Sequence, residues 1–427
     1  MKPVHRIAPL PWMSKPQTRR VLDGLAAAGA TARFVGGCVR DALMGRPVGD
    51  IDIATDAEPD VVTTTLERAG IKVVPTGIAH GTVTAVVDHA HFEITSLRRD
   101  VETFGRHARV AFTDDWAADA ARRDFTMNAL FLDAGGDVYD PVSGFEDIQR
   151  GRVRFVGDPA QRIAEDVLRL LRYFRFFAYF DRLPADGAAL AACGAAAPQL
   201  PSLSGERVRA ELLKLFAAPA PGATVALMAE CGVLAQVLPE ATALDRFAAL
   251  LTVEREGGAR IDPLRRMAAL IPVDEPGARS TARRLRFSGK EADRLADLAA
   301  PAQPMSPKME RAEFNLALYR RGSRLVRDHI ILAWAAARAK GPVAGQADDQ
   351  GFRRLLAAAV CWRPVVFPLK GADALKAGVP SGPDIGRLVT SVEEWWIEQD
   401  FAPDRGACLA KLRDLARIVP RIVQEPS

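Results

Sequence analysis

The sequence predicts an α+β protein, with a mixed head over roughly the first third and a mostly helical body after it. Three observations predict this. Short β-rich runs ("ARFVGG", "DIDIAT", "IKVVPT", "TVTAVV", "HFEITSL") alternate with helical patterns as far as "ALFLDAGGDVYDP", which reads as a closing hairpin. The strand signal stops after about residue 150. Amphipathic patterns such as "IAEDVLRLLRYFRFFAYF", "GERVRAELLKLFA" and "RLVRDHIILAWAAARAK" then run between Pro and Gly breaks.

In chain order, "FVGGCVRDALMG" reads as strand, glycine turn and helix, and "GDIDIAT" as the next strand. "EPDVVTTTLERAG" is a helix, with Asp56 as its expected cap. Three further strands follow, then the helical body, interrupted by a flexible loop expected over 341–351, "GPVAGQADDQG".

The totals bound the class. At 427 residues, 48% hydrophobic and 26% charged, the chain suits two to four globular domains. No apolar run approaches the ~20 residues of a membrane span. The start, "MKPVHRIAPLPWMSKPQTRR", lacks an apolar core followed by a cleavage site, so no secretory signal is expected. Five scattered cysteines without a C-x-x-C argue against a zinc site or disulfide framework and suit a reducing cytoplasm. A net charge of +4 is by itself weak support for a nucleic-acid partner.

The chemistry begins at "FVGGCVRDALMGRPVGDIDIATD". On a strand, Asp50 and Asp52 point the same way with backbones ~7 Å apart. Two hard carboxylates so placed repel each other unless a cation intervenes, and they suit Mg²⁺. Gly36 and Gly37 let backbone N–H groups approach an anion at the start of the next helix. Glu93 sits mid-strand, where Glu is disfavoured, and it completes an acidic triad if its strand neighbours "DIDIAT". It could then hold metal and accept a proton from an attacking hydroxyl. D-x-D alone is common, and Gly-Gly before a helix is usually a turn. The ordered combination is what points to phosphoryl or nucleotidyl transfer.

Further stretches follow: "TGIAHGTVT" (76–84), "FEITSLRRD" (92–100), "RRDFTMNAL" (122–130), "YDPVSGFEDIQRGRVRFVGDP" (139–159), "RIAEDVLRLLRYFRF" (162–176) and "ERVRAEL" (206–212). Together with "VGGCVRDALMGRPVGDIDIAT" they resemble, in order, the signatures of class II tRNA nucleotidyltransferases and bacterial poly(A) polymerases. These belong to the polymerase-β-like nucleotidyltransferase superfamily. The resemblance implies a nucleotidyltransferase head over 1–148, a nucleotide-selecting helical neck over 149–215, a body over 216–300 and an RNA-binding tail over 301–427.

It also implies roles. Asp50 and Asp52 match the Mg²⁺ carboxylates, and Glu93 the third acid. Gly36, Gly37 and Arg40 match the triphosphate-binding turn. Arg123 and Asp124 match nucleotide contacts, with Asp124 at the ribose hydroxyl. Asp166 and Arg169 of "EDVLR", read as neighbours on one helix side, match the pair that selects the incoming base. A carboxylate accepts from the amine of C or A, a guanidinium donates to ring nitrogen or carbonyl, and U and G would face an unpaired acceptor. Arg172 and Arg175 continue the row near the nucleotide. The aromatics of that helix read as core. Val167 stands where Pro is frequent, and Ser143-Gly144 where Gly-Gly is usual. Asp41 falls outside the metal site and reads as a structural contact. His80, in "GIAHGT", lies near the expected site.

The implied reaction is addition of C, C and A to the tRNA 3′ end from CTP and ATP, with the helical part holding the acceptor arm. Poly(A) synthesis and A-only addition are the alternatives. "TGIAHGTVTAVV" resembles the tRNA branch, and 98–115 resembles a flexible loop absent from CC-adding forms. Only His329 lies beyond residue 107, and there is no His-Asp dipeptide, so no accessory phosphohydrolase domain is expected.

Overall fold

The computed structural model describes residues 1–104, 107–180, 184–379 and 382–418. Chain contacts divide it into two units. The first comprises residues 1–242, 261–264 and 279–292, the second residues 243–260, 265–278 and 293–427.

The first unit opens with a mixed sheet. Its strands are β1 (His5–Arg6), β2 (Ala32–Val35), β3 (Ile51–Thr55), β4 (Lys72–Gly77), β5 (Thr82–Val87) and β6 (Ala90–Ser96). After β7 (Arg98–Phe104) and β8 (His107–Phe112), which form their own antiparallel pair, come β9 (Phe131–Leu132) and β10 (Asp137–Tyr139). The large sheet runs β1-β10-β9-β2-β3-β6-β5-β4. Among the described residues only the β3–β6 pair is parallel, and its register sets Asp52 opposite Glu93. The strand adjacency expected for the acidic triad is therefore present.

Alternation along the strands sorts the two faces. Val35 and Ala54 join a buried cluster with Leu97, Ala120, Ala129, Phe131 and Val156. Asp52 shares their face, whereas Phe34 and Ile53 point to the other, where Trp12 meets Phe34 edge-on at 4.7 Å.

The helices of this unit are α1 (Pro16–Ala27), α2 (Gly37–Leu43), α3 (Pro59–Arg68), α4 (Trp116–Ala121), α5 (Gly144–Arg150), α6 (Pro159–Glu165), α7 (Leu168–Phe180), α8 (Gly187–Ala196), α9 (Gly205–Phe216), α10 (Gly222–Glu230) and α11 (Val233–Val237). Proline at the start of α1, α3 and α6 suits a position whose N–H has no intrahelical partner. Four aromatics of α7 (Tyr173, Phe174, Phe176 and Phe177) are core, as expected, while Tyr179 and Phe180 are half-buried. Phe155 stacks on Tyr173 at 5.4 Å and Phe125 lies 5.0 Å from Phe176.

Three expectations are corrected. The run "IAEDVLRLLRYFRFFAYF" is two helices, because Asp166 is extended (φ −152°, ψ 107°) and α7 starts only at Leu168. Asp166 therefore lies outside the helix that carries Arg169 and only leads into its first turn, its carbonyl accepting from the Arg169 N–H. Asp56 does not cap α3, whose N-cap is Glu58; its Oδ1 instead accepts from the Thr31 N–H at 2.8 Å. Residues 342–351 belong to a helix (Pro342–Cys361), since a proline in the first turn starts a helix as readily as it ends one. In the stretch 98–115, residues 105 and 106 lie outside the described residues.

The second unit is helical where described. It contains α12 (Leu244–Glu256), and parts of α13 (Pro263–Leu270), α14 (Glu275–Arg284) and α15 (Gly289–Ala299). Then follow α16 (Arg311–Arg321), α17 (Ser323–Ala339), α18 (Pro342–Cys361), α19 (Gly371–Lys376), α20 (Pro383–Glu398) and α21 (Arg405–Ile418). A buried ionic cluster lies within it. Arg265 donates to Glu254 at 2.6 Å and to Asp328 at 2.6 Å, while Arg266 reaches Glu254 at 2.8 Å. No helix is long and apolar enough to cross a membrane among the described residues.

Candidate active site

The site is built where the glycine turn meets β3. Gly36 adopts φ +74°, the left-handed region that favours glycine, and a Cβ there would lie 3.6 Å from Asp52 Oδ2. The Cys38 thiol donates to Val35 O at 3.2 Å and Asp52 O at 3.6 Å, tying the start of α2 to the strand. Burial pushes this thiol up to about 11, so it remains a neutral tether.

Asp52 sits beside like charges. Its carboxyl is pushed up to about 6, by burial first and then by the Glu93 and Asp50 carboxylates, with Arg123 opposing. Asp50 is exposed and lies on the bend ahead of β3, and Glu93 is exposed at mid-strand. As they stand, no three His, Cys, Asp or Glu side chains among the described residues are gathered closely enough to grip one ion. The donor set still fits a hard divalent cation. Mg²⁺ commonly takes one or two carboxylates with substrate phosphates and water completing its shell, and a cation would relieve the repulsion at Asp52.

The arginines are already engaged. Arg40 donates to both Asp41 oxygens at 3.0 Å and to Asn128 Oδ1 at 2.8 Å, and its guanidinium lies 4.4 Å from the Phe180 ring centre. Asp41 is thus the structural contact expected of it, and Arg40 keeps at most two of its five N–H donors for a phosphate. Arg123 donates to Asp119 Oδ2 at 2.8 Å from Nη2, while Arg122 grips Oδ1 of the same carboxylate. Burial disfavours the ionised Asp119, but the two guanidiniums outweigh it and hold the carboxyl below its ordinary value.

Asp124 is similarly enclosed. Oδ1 accepts from the Phe125 N–H at 2.9 Å and from Asn128 Nδ2 at 3.3 Å. Oδ2 accepts from Arg172 Nε at 2.7 Å and from its Nη2. Burial works against this charge too, yet Arg172 prevails and depresses the carboxyl's pKa.

Asp166 and Arg169 meet through the main chain, where the Asp166 carbonyl accepts from the Arg169 N–H at 2.9 Å, while their described side-chain bonds go to other partners. Arg169 donates from Nη1 to Glu165 and to Arg162 O at 3.0 Å. Asp166 accepts from the Leu168 N–H at 3.1 Å and from Arg207 Nη2 at 2.7 Å. Arg175 donates from Nε to Glu211 at 2.6 Å. His80 is exposed in the short 3₁₀ turn Ile78–His80.

The structure thus brings Gly36, Asp50, Asp52, Glu93 and Arg123 into one neighbourhood and links Asp124 to Arg172. Sequence reasoning missed the anchoring partners Asp119, Asn128, Glu165, Arg207 and Glu211. Two had a readable signal: Asp119 stands four residues before Arg123, and Glu165 four before Arg169, and both pairs form.

Residues 32–154 match the family described as Poly A polymerase head domain, and residues 186–244 one described as Probable RNA and SrmB- binding site of polymerase A. The chain is 32% identical over 385 residues to CCA tRNA nucleotidyltransferase 1, mitochondrial, of Mus musculus, covering 89% of this chain and 86% of that one. It is 30% identical over 423 residues to the CCA-adding enzyme of Limosilactobacillus fermentum, covering 96% of this chain and 100% of the relative. The solved structure of the Bacillus stearothermophilus CCA-adding enzyme in complex with CTP aligns with a TM-score of 0.71 at 28% identity. That alignment covers 94% of this chain and 98% of the other.

Proposed function

The chain belongs to the family of CCA-adding tRNA nucleotidyltransferases, and on that premise we propose how its residues carry out the reaction. It transfers C, C and A from CTP and ATP to the tRNA 3′ end: the RNA 3′-hydroxyl attacks the nucleotide α-phosphate and pyrophosphate leaves. Relatives spanning most of the chain are CCA-adding enzymes, which favours this over poly(A) synthesis.

Enzymes of this family are metal-dependent. Asp50 and Asp52 would hold Mg²⁺, which when bound supplies positive charge to the reacting phosphate. Glu93 accepts the proton of the attacking hydroxyl at a carboxylate oxygen. Gly36 and Gly37 leave room for the triphosphate, with Arg40 and Arg123 lending charge to it. Asp124 contacts the ribose hydroxyl, Asp166 and Arg169 select the base edge, and Arg172 and Arg175 line the same nucleotide. Residues 149–215 serve as the selecting neck, and the helices beyond hold the acceptor arm through phosphate contacts and shape. The five free cysteines support a reducing, cytoplasmic setting.

The observation that carries this reading is the parallel β3–β6 register, which sets Asp52 against Glu93 beneath the glycine turn. The test offers purified protein tRNAs ending before CCA, after C and after CC, with each nucleotide singly and together. Ordered addition of C, C, then A is expected. Long A-tails on unrelated RNA, or activity on the CC-ended tRNA alone, would overturn it.

A further inference from the structure

We propose that Arg207 is a positioning residue for base choice, holding the Asp166 carboxylate in the orientation that separates C and A from U and G. The proposal rests on the reading of Asp166 as a base-contacting group.

Asp166 occupies the extended break between α6 and α7, where its carbonyl accepts from the Arg169 N–H at 2.9 Å and fixes the main chain, leaving the side chain to be oriented separately. Its carboxylate has two described anchors. Oδ1 accepts from the Leu168 main-chain N–H, and Oδ2 accepts from Arg207 Nη2 at 2.7 Å. A carboxylate has about four acceptor positions, so these anchors leave a lone pair on each oxygen. Arg207 supplies the only described side-chain contact that sets which way those lone pairs face.

The helix carrying Arg207 is itself locked in register. One turn further along α9, Glu211 accepts from Arg175 of α7 at 2.6 Å and is buried. The two ion pairs have opposite polarity: α9 offers a base to Asp166 and an acid to Arg175. A one-turn slip of α9 would set Glu211 against Asp166, acid against acid. The Arg207 guanidinium is thereby delivered to one place.

This matters because discrimination is geometric. The exocyclic amine of C or A donates to a carboxylate oxygen, while the carbonyl of U or G presents a second acceptor there. That clash penalises the wrong base only if the oxygen cannot turn aside. An unanchored Asp166 could rotate away from a carbonyl, so U and G would lose their penalty while C and A kept most of their bond.

The test measures kcat/KM for CTP, UTP, ATP and GTP on tRNAs ending before CCA and after CC. Arg207→Met, which keeps the stem but removes the donor, should lower the CTP:UTP and ATP:GTP ratios by about 10- to 100-fold, the effect of relieving one unsatisfied polar contact. Arg207→Lys, with a single point donor, should recover part of the ratio and remains informative if Arg207→Met folds poorly. An equal loss with all four nucleotides in Arg207→Met and Arg207→Lys would overturn the proposal and leave Arg207 merely structural. Asp166→Asn separates the two levels: unchanged ratios there would remove the underlying reading, whereas altered ratios with an inert Arg207→Met would remove only the Arg207 role.

Discussion

Arg172 reaches from α7 to donate to Asp124 Oδ2 through both Nε, at 2.7 Å, and Nη2, across 48 positions of sequence. With the Phe125 N–H and Asn128 on Oδ1, the acceptor positions of Asp124 are filled by the protein itself. A ribose hydroxyl that reaches Asp124 must therefore displace a donor. Arg172, 35% exposed at its side chain, is the one with room to yield.

The same pair governs stability. Removing one partner of a fully buried ion pair costs about 3–5 kcal/mol, and solvent screening at the part-exposed Arg172 reduces this, so Arg172→Met should lower the denaturation midpoint moderately. The sign with pH follows from the depressed carboxyl of Asp124. Its stabilisation is fully present above the ordinary carboxylate range and is lost as pH falls through the lower folded value. The deficit of Arg172→Met should thus be largest near neutral pH and shrink on acidification, as chemical denaturation across that range would reveal. A pH-independent deficit would contradict the assignment.

Asp52 behaves oppositely. Its carboxyl stands near 6 in the folded chain against 3.8 for the free group, so the ionised form penalises folding fully above pH 6 and not at all below 3.8. Metal-free Asp52→Asn should be more stable than wild type at pH 8, by about 1–3 kcal/mol, and the gap should close as pH falls through 6. Nucleotide incorporation should meanwhile drop by a factor on the order of 10³. Thermal melts in chelator and a single-turnover assay check the two halves separately.

In the second unit, Arg265 neutralises both Glu254 and Asp328, all three being buried. Arg265→Met would leave Glu254 with Arg266 and Asp328 with Arg294, each carboxylate one donor short in a dry setting, and a loss of about 1–3 kcal/mol is expected. Hydrogen exchange should localise the loss to α12 and α17. An unchanged unfolding curve would show that the cluster contributes nothing net.

Ser143 adopts φ +62°, and the neighbouring Gly144 packs so tightly that a Cβ would fall 2.1 Å from Thr126 O. Ser143→Gly should therefore stabilise the protein slightly, by up to about 1 kcal/mol, since the left-handed conformation favours glycine. Gly144→Ala should destabilise it severely, because the contact is with backbone and cannot be relieved by a side-chain rotation. Melting temperatures of the two variants, moving in opposite directions, would verify the pair.

Much of this arrangement is legible in the chain. Period-two alternation placed Asp52 and Glu93 on strands, and the glycine pair announced the turn that approaches Asp52. The arginine partnerships are not legible in the same way. Arg40, Arg123, Arg172 and Arg175 all carry the charge a nucleotide requires, yet each is held by an acid, and for Arg172 and Arg175 that acid comes from a distant element. Local patterns report helix faces and turns, while long-range charge pairing depends on which faces finally meet. The break at Asp166 was hidden for a related reason: apolar periodicity continues through it, and the interruption lies in two residues of backbone.

The parallel pairing of β3 with β6 separates two kinds of change the chain could undergo. The whole α3–β4–β5 segment lies between the two acids, so their meeting is indifferent to the length of what intervenes. It is not indifferent to phase. A one-residue slip would turn Glu93 to the opposite face and set Phe92 or Ile94 against Asp52. A two-residue slip would keep the face but offer His91 or Thr95 instead, leaving a sheet of the same shape with one acid where two must meet.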